Sequence, residues 1–217
     1  MNLLELINKI TVRLRIGEVA SLADPNSDLP AHFVNQAKEE TEDIGPWFAL
    51  RSEKTVTTVS GTESYAISGT NDRSYVHTEQ GVAQVFVTTS NSVRERVPVV
   101  PYDVLRAMHE LDTSQSTGLA NYVAFTKGSS GLTARFYPIP DAVRTYKVVC
   151  VTPQAELTAE TDVLTIPARP VWMLALAYTA QERGEELSGG NLEAQARIAV
   201  DNAVLTDFAN GHESQTF

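Results

Sequence analysis

The sequence predicts an α+β protein in which a helical bundle built from both termini carries an inserted antiparallel β-rich domain, sandwich-like or barrel-like. Apolar residues recur at helical spacing near both ends of the chain, whereas the middle consists of short runs rich in β-branched and aromatic residues. The length of 217 residues, 42% of them hydrophobic, is sufficient for one or two cores. We expect a helical domain of residues 1–50 with 167–217 and a β-rich domain of residues 51–166.

Two helices are expected before residue 50. Apolar residues at alternating steps of four and three predict an amphipathic helix over residues 2–16, and Gly17 follows where it would end. A second helix is expected to begin around Asp28 and to end at Gly45 and Pro46, because proline stops or kinks a helix. The expected inward faces are Leu3, Ile7, Ile10 and Leu14 in the first helix and Phe33, Ala37, Thr41 and Ile44 in the second.

The middle of the chain predicts strands separated by Ser, Gly, Asn and Asp turns. Residues 127–131 contain two glycines, which predicts a tight hairpin between two of the strands. The expected strands are 55–59, 64–67, 75–78, 82–88, 93–97, 121–126, 132–137 and 145–152, with one short helix at 102–111 that places Val104, Leu105, Met108 and Leu111 on one face.

The last third of the sequence predicts two helices and a polar tail. Pro167 and Pro170 suit the first turn of a helix, and an Ala-rich surface follows them. Gly189 and Gly190 are expected to separate this helix from the final one. Residues 210–217 are polar except for the terminal Phe217.

Composition and charge exclude several classes of protein. The net charge of −10 argues against a surface that grips nucleic acid along its phosphates. The single cysteine, Cys150, cannot form a disulfide within the chain and favours assembly in a cytosolic environment. No apolar stretch approaches the roughly 20 residues that span a bilayer. The first residues lack the features of a secretory signal, so we expect them to belong to the fold and expect no membrane partner.

Sequence signatures of a reaction centre are missing, so we expect no enzyme, no cofactor and no metal site. There is no glycine-rich phosphate loop with its Lys and no nucleophile elbow. The histidines, at positions 32, 77, 109 and 212, are more than thirty residues apart. The acidic runs are expected to be solvated helix surface; they contain Glu39, Glu42, Asp43, Glu185 and Glu186.

Four further side chains have more than one interpretation. Trp47 and Trp172 sit near helix ends among apolar neighbours and are expected to be core residues or, alternatively, interface anchors. Arg94 and Arg96 alternate along a predicted strand with Glu95 between them. They could contact a phosphate or a protein partner, or serve only as charged surface.

Two stretches of sequence resemble a known family. The first contains Ile-Gly-Pro-Trp-Phe-Ala-Leu at 44–50, the predicted strand 55–59, and Gly-Thr-Glu-Ser-Tyr-Ala-Ile at 61–67. The second runs through the predicted strand 132–137, Pro-Ile-Pro-Asp at 138–141, a second strand, and Ile-Pro at 166–167 before the Ala-rich helix. This order of features resembles the tail tubular protein A-like adaptors, which are head-to-tail connector proteins of phages.

The resemblance implies a structural virion protein at the head-tail interface, synthesised in the host cytoplasm. It implies a homo-oligomeric ring, a 12-mer, between the phage portal protein and the tail nozzle or tail tube protein, with a lumen through which DNA passes without specific binding. It also implies a terminal segment that docks on the portal. The candidate docking residues are Asn210, Gly211, His212, Glu213, Ser214, Gln215, Thr216 and Phe217, which are expected to form an extended tail.

Three alternatives belong to other classes. Another phage neck component, such as a stopper or tail terminator, would share the ring and the virion without the portal contact. A monomeric β-rich binding module would expose Tyr65, Tyr75 and Phe86 on one sheet face. A small hydrolase would need a deep pocket with convergent titratable groups.

Overall fold

A computed structural model describes residues 1–45, 47–79, 82–88 and 94–213, with side chains described except at 79, 88, 186–188, 208 and 210–213. The α+β prediction is confirmed: helices occupy both ends of the chain and a β-rich region lies between them. The helices are α1 (Leu3–Arg13), α2 (Asp28–Asp43), α3 (Tyr102–Leu111), α4 (Ala168–Glu182) and α5 (Glu186–Glu213).

The strands are short, and most pairings between them are antiparallel. They are β1 (Arg51–Thr57), β2 (Ser64–Ala66), β3 (Tyr75–Val76), β4 (Thr78–Glu79), β5 (Val82–Ala83), β6 (Val85–Thr88), β7 (Arg94–Arg96), β8 (Thr117–Gly118), β9 (Tyr122–Gly128), β10 (Gly131–Tyr137), β11 (Ile139–Pro140) and β12 (Thr145–Val151). The fold contains two compact units, a helical unit of residues 1–50 with 154–217 and a β unit of residues 51–153. The domain boundaries expected from the sequence stay a prediction.

In the helical unit, α1 begins with a reciprocal cap. The Glu5 amide donates to Asn2 Oδ1 at 2.8 Å, and the Asn2 amide donates to Glu5 Oε2 at 3.0 Å, which satisfies two backbone donors at the helix start. The helix then buries Leu3, Ile7 and Ile10 as expected. It ends earlier than expected, at Arg13, so Leu14 is the half-buried C-terminal cap.

The second helix buries a face that only partly matches the expected one. Ala37 and Thr41 are buried, but Ile44 is 50% exposed and Phe33 is half-buried against the ring of Tyr178, with 5.9 Å between the ring centroids. The buried positions in α2 are Pro30, Val34, Ala37, Lys38, Thr41 and Glu42. The buried face of α2 therefore includes the charged residues Lys38 and Glu42, which a pattern of apolar residues could not include.

The break between the last two helices lies at Arg183–Glu185 and not at Gly189 and Gly190, so this prediction was wrong. Gly184 has φ +82°, a left-handed conformation that glycine adopts at helix ends. Gly189 lies inside α5, at a point where α4 passes close to it. A Cβ there would come within 2.4 Å of Gln181 Cγ and 3.2 Å of the Ala177 carbonyl oxygen. The glycine permits close helix packing and does not end a helix.

The β unit has one core between two sheets. The larger sheet has the order β1-β12-β6-β7, with β3 also pairing with β12, and the smaller has the order β2-β10-β9. Strand alternation turns Tyr146, Val148 and Cys150 of β12 toward Ala134 and Phe136 of β10. The rings of Phe136 and Tyr146 lie 4.5 Å apart between centroids. The β unit thus buries the inner faces of both sheets.

The predicted hairpin at 127–131 is confirmed. Gly131 pairs with Gly128, so the turn consists of two residues, and Gly131 has φ +112°. A Cβ at Gly131 would lie 2.4 Å from Thr70 Oγ1, so only glycine fits this position without a shift. The parallel pair of β8 with β11 was not expected.

The short helix α3 has the predicted bounds but not the predicted buried face. Leu105 is buried, whereas Val104 is 43% and Leu111 is 83% exposed. The helix contacts β9 and β10, and only part of its apolar arc is covered there.

Candidate functional site

The candidate docking segment, residues 210–217, begins inside the last helix. Since α5 continues through Glu213, the expectation of an extended tail is wrong for residues 210–213. Once a helix is nucleated, each added residue gains a hydrogen bond, so a polar sequence does not by itself end it. Residues 214–217, including Phe217, lie outside the described part of the chain. The docking role of the segment stays a prediction.

The histidines and the cysteine lie in separate surroundings. His77 is 8% exposed, whereas His32 is exposed on α2 and the His109 ring stands edge-on to Tyr137 at 5.0 Å between centroids. Burial raises the pKa of the Cys150 thiol to about 11, which keeps it protonated and unreactive at neutral pH. Within the described residues, no three His, Cys, Asp or Glu side chains are placed to hold a metal ion.

One residue of the acidic runs is buried, so the prediction that these runs are solvated is wrong for Glu42. Glu42 Oε2 lies 3.6 Å from Lys38 Nζ, and both side chains are 0% exposed. Glu42 Oε1 also accepts from the Gln154 amide at 3.0 Å, while Lys38 Nζ donates to the Gln154 carbonyl at 2.6 Å. Glu39 and Asp43 on the same helix are exposed. The buried Lys38–Glu42 pair thus binds the backbone of Gln154, in the segment before α4, to α2.

A second polar network joins three helices of this unit. The Tyr178 hydroxyl on α4 donates to Glu40 of α2 at 2.5 Å, and Gln181 donates to Glu193 of α5 at 3.1 Å. Burial together with the Glu40 hydrogen bond raises the pKa of Tyr178, so it remains a neutral donor. Hydrogen bonding from Arg197 lowers the pKa of Glu193. The neutral Tyr178 hydroxyl and the ionised Glu193 carboxylate both support the packing of the helices.

The two tryptophans have different roles. Trp47 is 2% exposed, and its indole Nε1 donates to the Thr41 carbonyl at 2.8 Å, which makes it a core residue. Trp172 is half-buried, and its ring lies under the Arg13 guanidinium at 4.5 Å and the Lys9 ammonium at 5.7 Å. Trp172 is therefore only partly buried beside α1, and its interpretation as an interface anchor stays a prediction.

The predicted strand residues Arg94 and Arg96 are exposed on β7. Arg94 Nη1 lies 3.9 Å from Glu53 Oε2, and Arg96 Nη2 donates to the Ala83 carbonyl at 3.1 Å. These contacts are made inside the β unit. They position two cations on an edge strand and do not assign them a partner.

The aromatic residues of the alternative binding module do not share one face. Tyr65 lies in the smaller sheet, where its hydroxyl donates to the Val59 carbonyl at 2.8 Å and its ring packs on Phe136 at 5.7 Å. Tyr75 and Phe86 lie in the larger sheet. The single aromatic surface expected for that alternative is therefore not formed.

A groove of about 550 Å³ lies between the first half of α4 and the second half of α5. Pro170, Met173, Ala199 and Ala203 line it with small and apolar groups, and Asp207 on its wall accepts a hydrogen bond from the Phe48 amide at 2.6 Å. Its lining residues include no nucleophile paired with a base. The groove has the character of a packing surface.

The net negative charge of the protein lies in one unit. The helical unit contains seven Lys and Arg against eighteen Asp and Glu, a formal charge of −11, whereas the β unit contains ten against nine, a formal charge of +1. A charge count taken domain by domain is the sequence signal for this asymmetry, which the overall value of −10 conceals. The two units therefore differ in net charge as well as in secondary structure.

Within the described residues, no helix is both long and apolar enough to cross a membrane. No curated protein sequence matches the chain. Residues 1–211, nearly the whole chain, match the family described as SU10 adaptor protein. The match supports the resemblance to a phage adaptor but does not reach the tail tubular protein A type, which stays a prediction. The fold, with its helical ends and β-rich middle, and this match together show that the chain belongs to the SU10 adaptor protein family.

Proposed function

We propose that this protein is a structural head-to-tail adaptor of a tailed phage, which forms a ring that joins the portal to the tail or nozzle. The match of residues 1–211 to the SU10 adaptor protein family carries the proposal. The role is architectural: the ring catalyses no reaction, needs no cofactor and acts in the virion at the head-tail interface.

The distribution of charge supports the passage of DNA through the lumen of this ring. Double-stranded DNA carries about one negative charge per 1.7 Å of helix axis, and proteins that bind it neutralise phosphates with Lys and Arg. A helical unit of charge −11 repels phosphates. We therefore place the helical unit beside the lumen, where it lets the genome slide without holding it.

The portal contact is assigned to residues 210–217, the end of α5 and the residues that follow it. Truncation after Ala209 tests this assignment, with a scrambled 210–217 sequence as a control for length and composition. We expect both variants to keep the melting temperature of the full chain and to lose co-sedimentation with the portal protein. Undiminished co-sedimentation of the truncated chain would overturn the docking segment.

The same assay separates the adaptor from its closest alternative. A full-length chain that assembles into rings but fails to co-sediment with the portal would contradict the adaptor position and favour a stopper or tail terminator. Co-sedimentation of the full-length chain supports the position next to the portal.

A further inference from the structure

Two exposed helix faces in the helical unit have opposite charge and complementary apolar side chains. We propose that these faces bind each other between adjacent copies of this chain, with the α1 face of one copy against the α5 face of the next. This inference rests on the proposed function, because it names the two surfaces that would build the ring.

The α1 face consists of Lys9, Val12 and Arg13, beside the half-buried Trp172. Val12 is 50% exposed and borders a surface groove of about 520 Å³ to which Lys9 and Arg13, and the carboxylates of Glu5 and Glu18, also contribute. Neither cation forms an ion pair with a described residue; both instead lie over the Trp172 ring. The face therefore offers an apolar centre with two cations available to a partner.

The α5 face consists of Ile198, Asp201 and Leu205. These residues are spaced i, i+3 and i+7, so they form one stripe along the helix. Ile198 is 61% and Leu205 is 68% exposed, and Asp201 is exposed with no ion-pair partner among the described residues. Two exposed apolar residues one heptad apart are typical of a helix that packs against another helix.

Charge selects the partner of the α1 face. Three of the seven cations of the helical unit lie within residues 9–15, and a fourth, Lys38, is fully buried. The end of α1 is thus a basic surface on a unit of charge −11. A second copy of the chain supplies the acidic surface that such a patch attracts, and Asp201 places a carboxylate between two apolar side chains there.

The two helices that carry these faces pack on different sides of the central helix α4. On the α1 side lie Trp172 of α4 and Arg183, the residue that follows the helix, whose Nη1 donates to the Leu14 carbonyl at 3.2 Å. On the α5 side α4 presents Ala177 and Gln181, which contact Gly189. At about 100° per residue these two sides of α4 lie roughly 150° apart. One copy can therefore bind a neighbour on each side, a heterologous contact that closes into a ring when the rotation permits.

Disulfide cross-linking of Val12→Cys and Leu205→Cys tests the pairing under conditions in which native mass spectrometry shows oligomers of the unmodified chain. We expect cross-linked dimers when the two single variants are mixed, and none from either variant alone. A chain with both substitutions should give a ladder that ends at the ring size. The unmodified chain is the control, since its only thiol, Cys150, is buried.

Charge reversal gives an independent readout. We expect Arg13→Glu to weaken self-association roughly tenfold and Asp201→Arg in the same chain to restore it. Lys127→Glu, an equal charge change on the exposed hairpin of the β unit, is the matched control and should leave association unchanged.

The outcomes separate this inference from the function on which it rests. Rings that persist in Arg13→Glu, together with no cross-link between positions 12 and 205, would overturn the pairing and leave the ring adaptor standing. Homodimers cross-linked from one single variant would also overturn it, because they require a two-fold contact. An unmodified chain that stays monomeric alone and with the portal contradicts both.

Discussion

Two neighbouring glycines in α5 provide a paired test of how closely α4 and α5 pack. A Cβ at Gly189 would lie 2.4 Å from Gln181 Cγ, whereas a Cβ at Gly190 would meet nothing within 4 Å. Alanine in place of glycine stabilises a helix by about 1 kcal/mol, and overpacking costs about 1–3 kcal/mol. We therefore expect Gly190→Ala to raise the free energy of unfolding by about 1 kcal/mol and Gly189→Ala to lower it by about 1 kcal/mol.

Thermal unfolding followed by far-UV circular dichroism measures this difference. A gap of about 2 kcal/mol between the two variants corresponds to about 4–8 °C in Tm for a chain of this size. Urea unfolding gives the same comparison at one temperature, and an unchanged slope would show that only stability has changed. Equal stabilisation by both substitutions would refute the close approach of the helices at Gly189.

Three further predictions concern the cores of the two units. Glu42→Gln should cost about 3 kcal/mol in urea unfolding because it leaves Lys38 buried without its counter-charge, and Lys38→Met with Glu42→Leu should cost less than Glu42→Gln alone. Trp47→Phe removes the 2.8 Å hydrogen bond to the Thr41 carbonyl, with an expected loss of about 1–2 kcal/mol; an unchanged urea midpoint would contradict this. Cys150 should react with a thiol reagent at pH 8 only as fast as the β unit opens. Burial raises the pKa of Cys150 from 9.0 to about 11, so the unfolded thiol ionises first and stability should fall as pH rises across that range. Cys150→Ala should remove this contribution and leave the part due to Tyr146 and Tyr178, whose pKa values burial also raises.

Local sequence patterns were sufficient for several elements. The bounds of α3 follow from the spacing of its apolar residues, and the hairpin before Gly131 follows from its glycines. In both cases the interactions that form the element lie within a few residues of one another, so the pattern contains the relevant information. The α+β class followed from the order of such elements along the chain.

Burial of charge could not be predicted in the same way. Glu42 and Lys38 are buried because Gln154, more than a hundred residues later, supplies a backbone amide and a carbonyl. Gly189 was expected to separate two helices. Its close contact with Ala177 is a tertiary contact, which the sequence pattern does not show. The exposed apolar residues of α3 and α5 likewise depend on which neighbours the fold supplies.

The candidate site was only partly accessible from sequence. The docking segment could be proposed from its polar composition and its terminal aromatic residue, but its helical beginning depends on α5. The α1 and α5 faces could not be paired before α4 was seen to lie between them. The resemblance to phage adaptors, by contrast, was visible in the order of features along the chain, and the match over residues 1–211 supports it at that level but not the tail tubular protein A type.

Native mass spectrometry of the intact chain, alone and with the portal protein, tests the central claim most directly. The account predicts a single closed homo-oligomer, a 12-mer, on the portal, whether or not the free chain is already assembled. A chain that remains monomeric in both samples would contradict the ring adaptor.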